Sequence, residues 1–172
     1  HHLLRQAKQV VVMSEQELRS RRCCFTGHRP EKLKRSEEEI KNGLEEAILE
    51  AVSDGYTTFI TGMARGVDIW SGQIVLWLRQ DNPELRLIAA LPYPGCDSRW
   101  SASWRRQYVE VLEAADLVKA ISPAYSVASF QKRDEWMVDQ SSRVIAIYDG
   151  VPGGTKNTID YAMKRGVDVE YL

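Results

Sequence analysis

The sequence predicts an α/β domain, a doubly wound, Rossmann-like three-layer αβα sandwich with a mostly parallel sheet. Three observations predict it. Short, continuously apolar segments such as 86–91 (RLIAAL) are typical of strands buried on both faces of a sheet. Amphipathic helical segments alternate with these strands along the chain. Glycine-rich turns, such as the one at 62–66, connect strand to helix.

Local signals justify the elements in order. Ser36, with Glu39 three residues later, fits a capping box that begins a helix, and apolar residues then recur at helical spacing until Gly55. Asn82-Pro83 ends the next helix, and Gly166 is the C-cap of the last one. The predicted strands are 22–26, 57–60, 86–91, 117–121, 143–148 and 168–172. The helices that follow the second to fifth strands are predicted at 69–78, 98 or 99 to 115, 130–141, and 155 or 157 to 165.

The chain is expected to contain one domain, at 22–172, preceded by a tag or lead-in segment at 1–21. His1 and His2 resemble the end of a purification tag, and the polar segment 14–22 is expected to form a short helix. A domain of this length can bury a substantial core.

Composition argues against several classes of protein. The net charge of −1 gives no reason to expect binding to nucleic acid or to a membrane surface. No apolar run reaches the length of a membrane span, and polar residues interrupt the first apolar stretch, so no secretory signal is expected. The three cysteines, of which Cys23 and Cys24 are adjacent, lack disulfide or zinc spacing. We therefore expect a cytoplasmic protein without a metal site.

The segments that follow the strands carry more chemistry than those that precede them. They are TGHRP, TGMARG, LPYPGCDSRW, SPAYSVASFQKR and YDGVPGGTKNT, which combine glycines, prolines, hydroxyls, aromatic rings and arginines. In doubly wound sheets ligands bind outside the carboxyl ends of the strands. The pattern therefore predicts a ligand cleft at that edge, the alternative being loops that only make turns.

Two glycine turns that precede helices are the predicted phosphate sites. Arg65 and Gly66 lie at a helix start, where free N–H groups attract an anion, and Gly62 allows close approach of the backbone. The second turn, at Gly153, Gly154 and Thr155, also precedes a helix. For both turns the alternative is simple turn formation and helix capping, with Thr155 as a plain N-cap. The predicted ligand-binding residues are Thr26, Gly27, His28, Arg29, Gly62, Arg65, Gly66, Gly153, Gly154 and Thr155.

Other side chains have two interpretations each. His28 either contacts a ribose or base, or only orients its loop. Trp100 and Trp104, one helical turn apart, are more often core residues than a base-stacking platform, and Tyr93 and Tyr125 are weaker stacking candidates.

Two further polar residues near the cleft are expected to have structural roles. Asp68 is expected to stabilise a helix N-terminus rather than to touch an anionic ligand. Cys96 is expected to be inert, because no histidine is placed to activate it.

Standard cofactor fingerprints are absent from the sequence. No G-x-G-x-x-G follows the first strand, the third strand does not end in an acidic residue, and no G-K-[ST] closes a glycine loop. These absences argue against ordinary NAD-linked redox chemistry and ATP hydrolysis, and no cofactor is expected.

The loops resemble those of a known superfamily. Strand-TGMARGVD-helix is similar to the strand-[ST]-G-x-A-x-G-[IV]-D element of the DprA/Smf–Lonely Guy (SLOG) group. TGHRP, LPYPGC, QKRDEWMVDQS and DGVPGGTKNT, in this order between about Cys23 and Leu172, resemble its YpsA/YoqJ branch. The resemblance implies a fold that binds a nucleotide or nucleotide derivative, and relatives imply a homodimer.

The enzymes of the superfamily, the Lonely Guy phosphoribohydrolases, are similar at two more places. Arg133 matches the position of their essential arginine, and Asp160 matches that of the glutamate in P-G-G-x-G-T-x-x-E. Lys156 stands where that motif has glycine, and Asp160 is one methylene shorter than glutamate. N-glycosidic hydrolysis needs a well-placed carboxylate, so these departures favour binding over cleavage.

Three functions follow as hypotheses. The first is binding or sensing of a nucleotide or a derivative such as ADP-ribose. The second is a phosphoribohydrolase acting on a nucleoside monophosphate through Arg133 and Asp160. The third is single-stranded DNA binding, which the near-neutral charge places last.

Overall fold

The structure is a computed structural model that describes residues 13–172, and it contains a six-stranded, fully parallel sheet. The strands are β1 (Arg22–Gly27), β2 (Thr58–Thr61), β3 (Arg86–Leu91), β4 (Leu117–Ala120), β5 (Arg143–Ile147) and β6 (Asp168–Tyr171). The helices are α1 (Glu15–Arg19), α2 (Glu37–Ser53), α3 (Val67–Arg79), α4 (Ala102–Ala114), α5 (Ser129–Asp139) and α6 (Gly154–Lys164), with a 3-10 turn at Pro30–Lys32. The predicted tag at 1–12 lies outside the described residues.

The order of the strands places β1 in the middle of the sheet. The order is β4-β3-β2-β1-β5-β6, so the chain runs outward from β1 to β4 and then returns to the other side of β1. The strand order therefore reverses between β1 and β5, and ligands of doubly wound sheets bind at such a point. Gly27 pairs with Ile147, so the two central strands end at the same level.

Two layers of helices cover the sheet, as the αβα prediction requires. One apolar cluster joins Cys23, Phe25 and Phe59 to helices α2, α3 and α4, and a second joins Cys24 and Ile60 to α5 and α6. The adjacent cysteines lie on opposite faces because side chains alternate along a strand. The fold class predicted from the sequence is confirmed.

Short-range signals placed most element ends correctly. Ser36 accepts a hydrogen bond from the Glu39 N–H at 3.2 Å and begins α2, and Gly55, with a φ of 100°, follows its end. Helix α3 begins at Val67, two residues before the predicted start, because Gly66 is its N-cap.

The outer strand β4 departs from the expected burial on both faces. All four of its residues are exposed, Leu117 at 53% and Val118 at 44%. The reason is position, since β4 pairs only with β3 and forms an edge of the sheet.

No helix within residues 13–172 is long and apolar enough to cross a membrane.

Candidate functional site

The loop after β1 packs against the loops that follow β2 and β5. A Cβ on Gly27 would lie 2.4 Å from the side chain of Val67, and one on Gly66 would lie 3.0 Å from Pro30. These close approaches require glycine at both positions. On the other side, His28 accepts a hydrogen bond from the backbone N–H of Asp149. The loops that follow β1, β2 and β5 therefore form one continuous surface.

The turn after β2 is held by polar contacts from both of its ends. The Thr61 hydroxyl donates to the Asp68 carbonyl at 2.7 Å and accepts from the Met63 N–H at 3.3 Å. The Ala64 N–H donates to an Asp68 carboxylate oxygen at 3.2 Å. Gly66, with a φ of 90°, is the N-cap of α3 and has no side chain with which to cap it. Asp68 thus supports the helix start, as expected.

Arg133 reaches the same turn from α5 and is buried, with 6% of its surface exposed. Its Nη1 donates to the Gly62 carbonyl, and its Nε donates to Asp134 at 2.7 Å. A Cβ on Gly62 would lie 2.8 Å from an Asp68 carboxylate oxygen and 3.1 Å from Arg133 Nε. Gly62 is therefore required by close packing around the ion pair. The ion pair of Arg133 and Asp134 thus lies in the interior of the protein.

Asp68, Arg133 and Asp134 bring two carboxyl groups and one guanidinium together beneath the turn. Burial raises the pKa of Asp68 to about 7, and the Asp134 charge adds to this effect. The Arg133 charge and the Ala64 N–H oppose it. At neutral pH the Asp68 carboxyl is thus close to its titration midpoint.

The turn after β5 is open. Gly153, with a φ of 145°, is the N-cap of α6, and Gly154 is the first helical residue. No described atom lies within 4 Å of a Cβ built on Gly153 or Gly154. Thr155 is buried inside the first helical turn, so the alternative that made it the N-cap is wrong: Gly153 adopts the cap conformation instead.

His28 lies between the two glycine turns and is 94% covered, with 6% exposed. Its Nε2 accepts the Asp149 N–H at 3.3 Å, and its ring centroid is 5.6 Å from that of Tyr148. Burial lowers the pKa of His28, a shift that Asp149 opposes and that Lys32 and Lys34 strengthen. This contact favours a loop-orienting role for His28, and its contact with a ligand stays a prediction.

Cations surround the cleft, most of them already paired. Arg65 donates to Glu31 at 2.9 Å, with 27% of the Arg65 side chain exposed. Arg35 pairs with Asp149 at 3.2 Å. Arg29 is exposed, whereas Thr26, three residues earlier in the chain, is buried.

The tryptophans belong to the core, as the more frequent interpretation held. Trp104 lies 6.1 Å from Trp70 and Trp100 lies 5.4 Å from Tyr108, between ring centroids, and both pack against the larger apolar cluster. Tyr125 and Phe130 are exposed, and Tyr93, which contacts both, is partly buried. Phe130 was missed from the sequence because its place at a helix start carries no signal for exposure.

The two predicted catalytic residues, Arg133 and Asp160, each form an ion pair with a different neighbour. Asp160 is 56% exposed and its carboxylate accepts a hydrogen bond from Lys156 at 2.8 Å, whereas Arg133 is buried against the other glycine turn.

Cys96 is a free, partly buried cysteine. Burial raises the pKa of the Cys96 thiol, which lies 3.6 Å from the Tyr108 hydroxyl, and this supports its inert assignment. Among residues 13–172, no group of three or more His, Cys, Asp or Glu side chains is placed to hold a metal ion.

The chain is similar in sequence to UPF0398 proteins and to the prophage-derived protein YoqJ. A UPF0398 protein of Halalkalibacterium halodurans is 30% identical over 129 residues, which cover 73% of this chain and 68% of the relative. An uncharacterised SPbeta prophage-derived protein of Bacillus subtilis, YoqJ, is 34% identical over 118 residues, which cover 62% of this chain and 69% of the relative.

One solved structure has a similar fold. It is DNA processing protein A from Helicobacter pylori, a protein described as having a single-stranded DNA binding mode. It superposes with a TM-score of 0.62 and 17% identity, over 92% of this chain and 67% of that one.

The signature of one family, described as the "YspA SLOG family" (YpsA), matches residues 23–171. This span contains five strands completely, β1 from its second residue, and every loop of the candidate site. The protein therefore belongs to the YpsA SLOG family.

Proposed function

We propose that this protein is a cytoplasmic nucleotide-binding or nucleotide-sensing protein. Its ligand is a nucleotide or a derivative of the ADP-ribose type, held at the carboxyl ends of β1, β2 and β5. The phosphate lies against the glycine turns at 62–66 and 153–155, where the helix starts attract an anion.

One observation carries the proposal. Helices α3 and α6 flank the crevice beside β1, and each begins at a glycine N-cap without a side-chain cap. By contrast, α1, α2 and α4 begin with serine N-caps whose hydroxyls accept a backbone N–H. Helix α5, with Ala128 as its N-cap, also lacks a side-chain cap, but it follows the outer strand β4. The helix starts that lack a side-chain acceptor thus include those that follow β2 and β5, the two strands that flank β1.

Calorimetric titration with AMP, ADP, ADP-ribose and NAD tests the proposal, with adenosine as the comparison that lacks phosphate. Binding of at least one phosphorylated compound, and weaker binding of adenosine, is expected. The absence of binding by all four at millimolar concentration would refute nucleotide binding at this site.

Hydrolysis of the base–ribose bond is a weaker proposal. It requires a carboxylate positioned at the ribose, and Asp160 is exposed and neutralised by Lys156. We expect no release of free base from nucleoside monophosphates. Rapid release of base would show that the ligand rearranges this pair.

Single-stranded DNA is the second candidate ligand. The exposed rings of Tyr125 and Phe130, which pack against Tyr93, favour it, because bases stack on aromatic side chains. The net charge of −1 places it behind a small nucleotide. Fluorescence anisotropy of a labelled oligonucleotide at low and high salt separates the two candidates.

A further inference from the structure

Three aromatic side chains from different loops meet at the carboxyl edge of the sheet. Tyr93 follows β3, Tyr125 lies between β4 and α5, and Phe130 is in the first turn of α5. The ring centroids of Tyr93 lie 5.6 Å from Tyr125 and 5.9 Å from Phe130, and those of Tyr125 and Phe130 lie 6.4 Å apart. We call these three residues the ring cluster.

Two of the three aromatic rings of the cluster are exposed, and Tyr93 is partly buried. Tyr125 is 64% exposed and Phe130 is 41% exposed. Its pairs are edge-to-face, with interplanar angles of 83°, 90° and 70°. An edge-to-face pair uses the flat face of only one of its two rings, so ring faces remain available for a planar ligand.

Arg133 connects the ring cluster to the glycine turn after β2. Its guanidinium carbon lies 5.9 Å from the Phe130 ring centroid, within the range of a cation–π contact. The same guanidinium donates a hydrogen bond to the Gly62 carbonyl. One buried side chain therefore separates the exposed rings from the turn that we propose for the phosphate.

We propose that the ring cluster is the base-binding subsite of the nucleotide site, with the base stacked on Tyr125, the most exposed of the three rings, and the phosphate at the glycine turn. This inference rests on the proposed function and adds to it the part of the ligand that the glycine turns do not recognise. Stacking depends on a π face rather than on base identity, so the subsite tolerates different bases.

The chemistry recognised is an aromatic base on a phosphorylated sugar, and it has two sources. A free mononucleotide supplies one base beside one phosphate, and a single strand of DNA supplies the same pair repeatedly. The experiment therefore uses AMP and a single-stranded oligodeoxynucleotide in parallel, together with ribose 5-phosphate, which lacks the base.

Tyr125→Leu removes the ring and keeps an apolar side chain, and Tyr125→Phe keeps the ring. Trp77→Leu is the matched control, since Trp77 is 59% exposed in the last turn of α3, at the opposite edge of the sheet. Thermal unfolding checks that all three variants fold, which is expected because both side chains are exposed.

Tyr125→Leu is expected to weaken binding of AMP, the oligonucleotide or both by about five- to one-hundred-fold, the range for loss of one base–aromatic stack. Tyr125→Phe and Trp77→Leu should bind like the wild type, and ribose 5-phosphate should bind all four proteins equally. The source that loses more affinity is the one that the subsite serves.

Two results would overturn the inference, and they differ in what they say of the proposed function. If AMP or the oligonucleotide binds the wild type and Tyr125→Leu binds both ligands as well as the wild type does, the ring cluster is not the base subsite, and the proposed function stands. If the wild type binds neither AMP, ribose 5-phosphate nor the oligonucleotide, and also fails to bind ADP, ADP-ribose and NAD, both proposals are wrong.

Discussion

The carbonyl oxygen of Gly62 accepts a hydrogen bond from Nη1 of Arg133, although the two residues are 71 positions apart in the chain. This bond ties the glycine turn after β2 to helix α5, and it is reinforced by the ion pair between Arg133 and Asp134. Arg133, for which the sequence resemblance predicts a catalytic role, thus supports the turn from within.

Replacing Arg133 with alanine should destabilise the protein strongly. It leaves the carboxyl groups of Asp68 and Asp134 buried without their cation, and loss of one partner from a buried ion pair costs about 3–5 kcal/mol. Urea denaturation measures the change, with Arg105→Ala as the control, because the Arg105 side chain is 54% exposed. Arg133→Lys should retain part of the stability. A loss below about 1 kcal/mol for Arg133→Ala would contradict the supporting role.

The Asp68 carboxyl should make stability depend on pH. Burial raises its pKa from the ordinary value of 3.8 to about 7 in the folded protein. The folded state therefore binds this proton more tightly than the unfolded state. The resulting stabilisation is fully present below about pH 4 and is lost as the pH rises through about 7.

Asp68→Asn isolates that contribution, since the amide keeps an acceptor oxygen for the Ala64 N–H but does not titrate. Between pH 5 and pH 8 the unfolding free energy of the wild type should fall relative to that of the variant. Denaturant titrations of both proteins at the two pH values measure this difference. A constant difference would show that Asp68 does not titrate in this range.

Gly154→Ala should separate folding from ligand binding. No described atom lies within 4 Å of the added methyl group, so the fold should accept it. A phosphate that approaches the backbone at the start of α6 would meet this methyl group, so affinity for phosphorylated ligands should fall by about tenfold or more, equivalent to one hydrogen bond to a charged group.

Gly43→Ala is the matched control for that variant. Gly43 lies inside α2, where the added Cβ would be 3.9 Å from Leu172, an ordinary contact distance. Alanine there should stabilise the helix by about 0.5–1 kcal/mol and leave ligand affinity unchanged. Equal calorimetric affinities of the two variants would argue against phosphate binding at the α6 start.

Arg65 and Glu31 offer a test of which partner Arg65 serves. Arg65→Ala should change stability by at most about 1 kcal/mol, because the pair is near the surface. It should weaken binding of a phosphorylated ligand by about tenfold or more if the guanidinium contacts the phosphate. Glu31→Gln frees the guanidinium, so calorimetry should show equal or tighter binding. Unchanged affinity in Arg65→Ala would assign the residue to the ion pair alone.

The sequence was sufficient for the fold class and for most element ends, because these depend on short-range physics. Alternation of side chains along a strand separates Cys23 from Cys24, and a serine hydroxyl near a helix start caps α2 at Ser36. Composition also predicted which edge of the sheet carries the chemically rich loops. Burial of β4 was predicted wrongly, since its pattern does not show that the strand lies at the edge.

Only the tertiary structure decided how those loops share one surface. The approach of Gly27 to Val67, the burial of Arg133 beside Asp68, and the contact of Tyr93 with Phe130 all join segments from different strands. Such contacts depend on strand order and on the packing of helices over the sheet, which no local pattern encodes. The sequence by itself therefore determined a parallel α/β domain in which the loops that follow the strands are rich in glycine, aromatic and polar residues. Strand order and helix packing decided which of those loops meet.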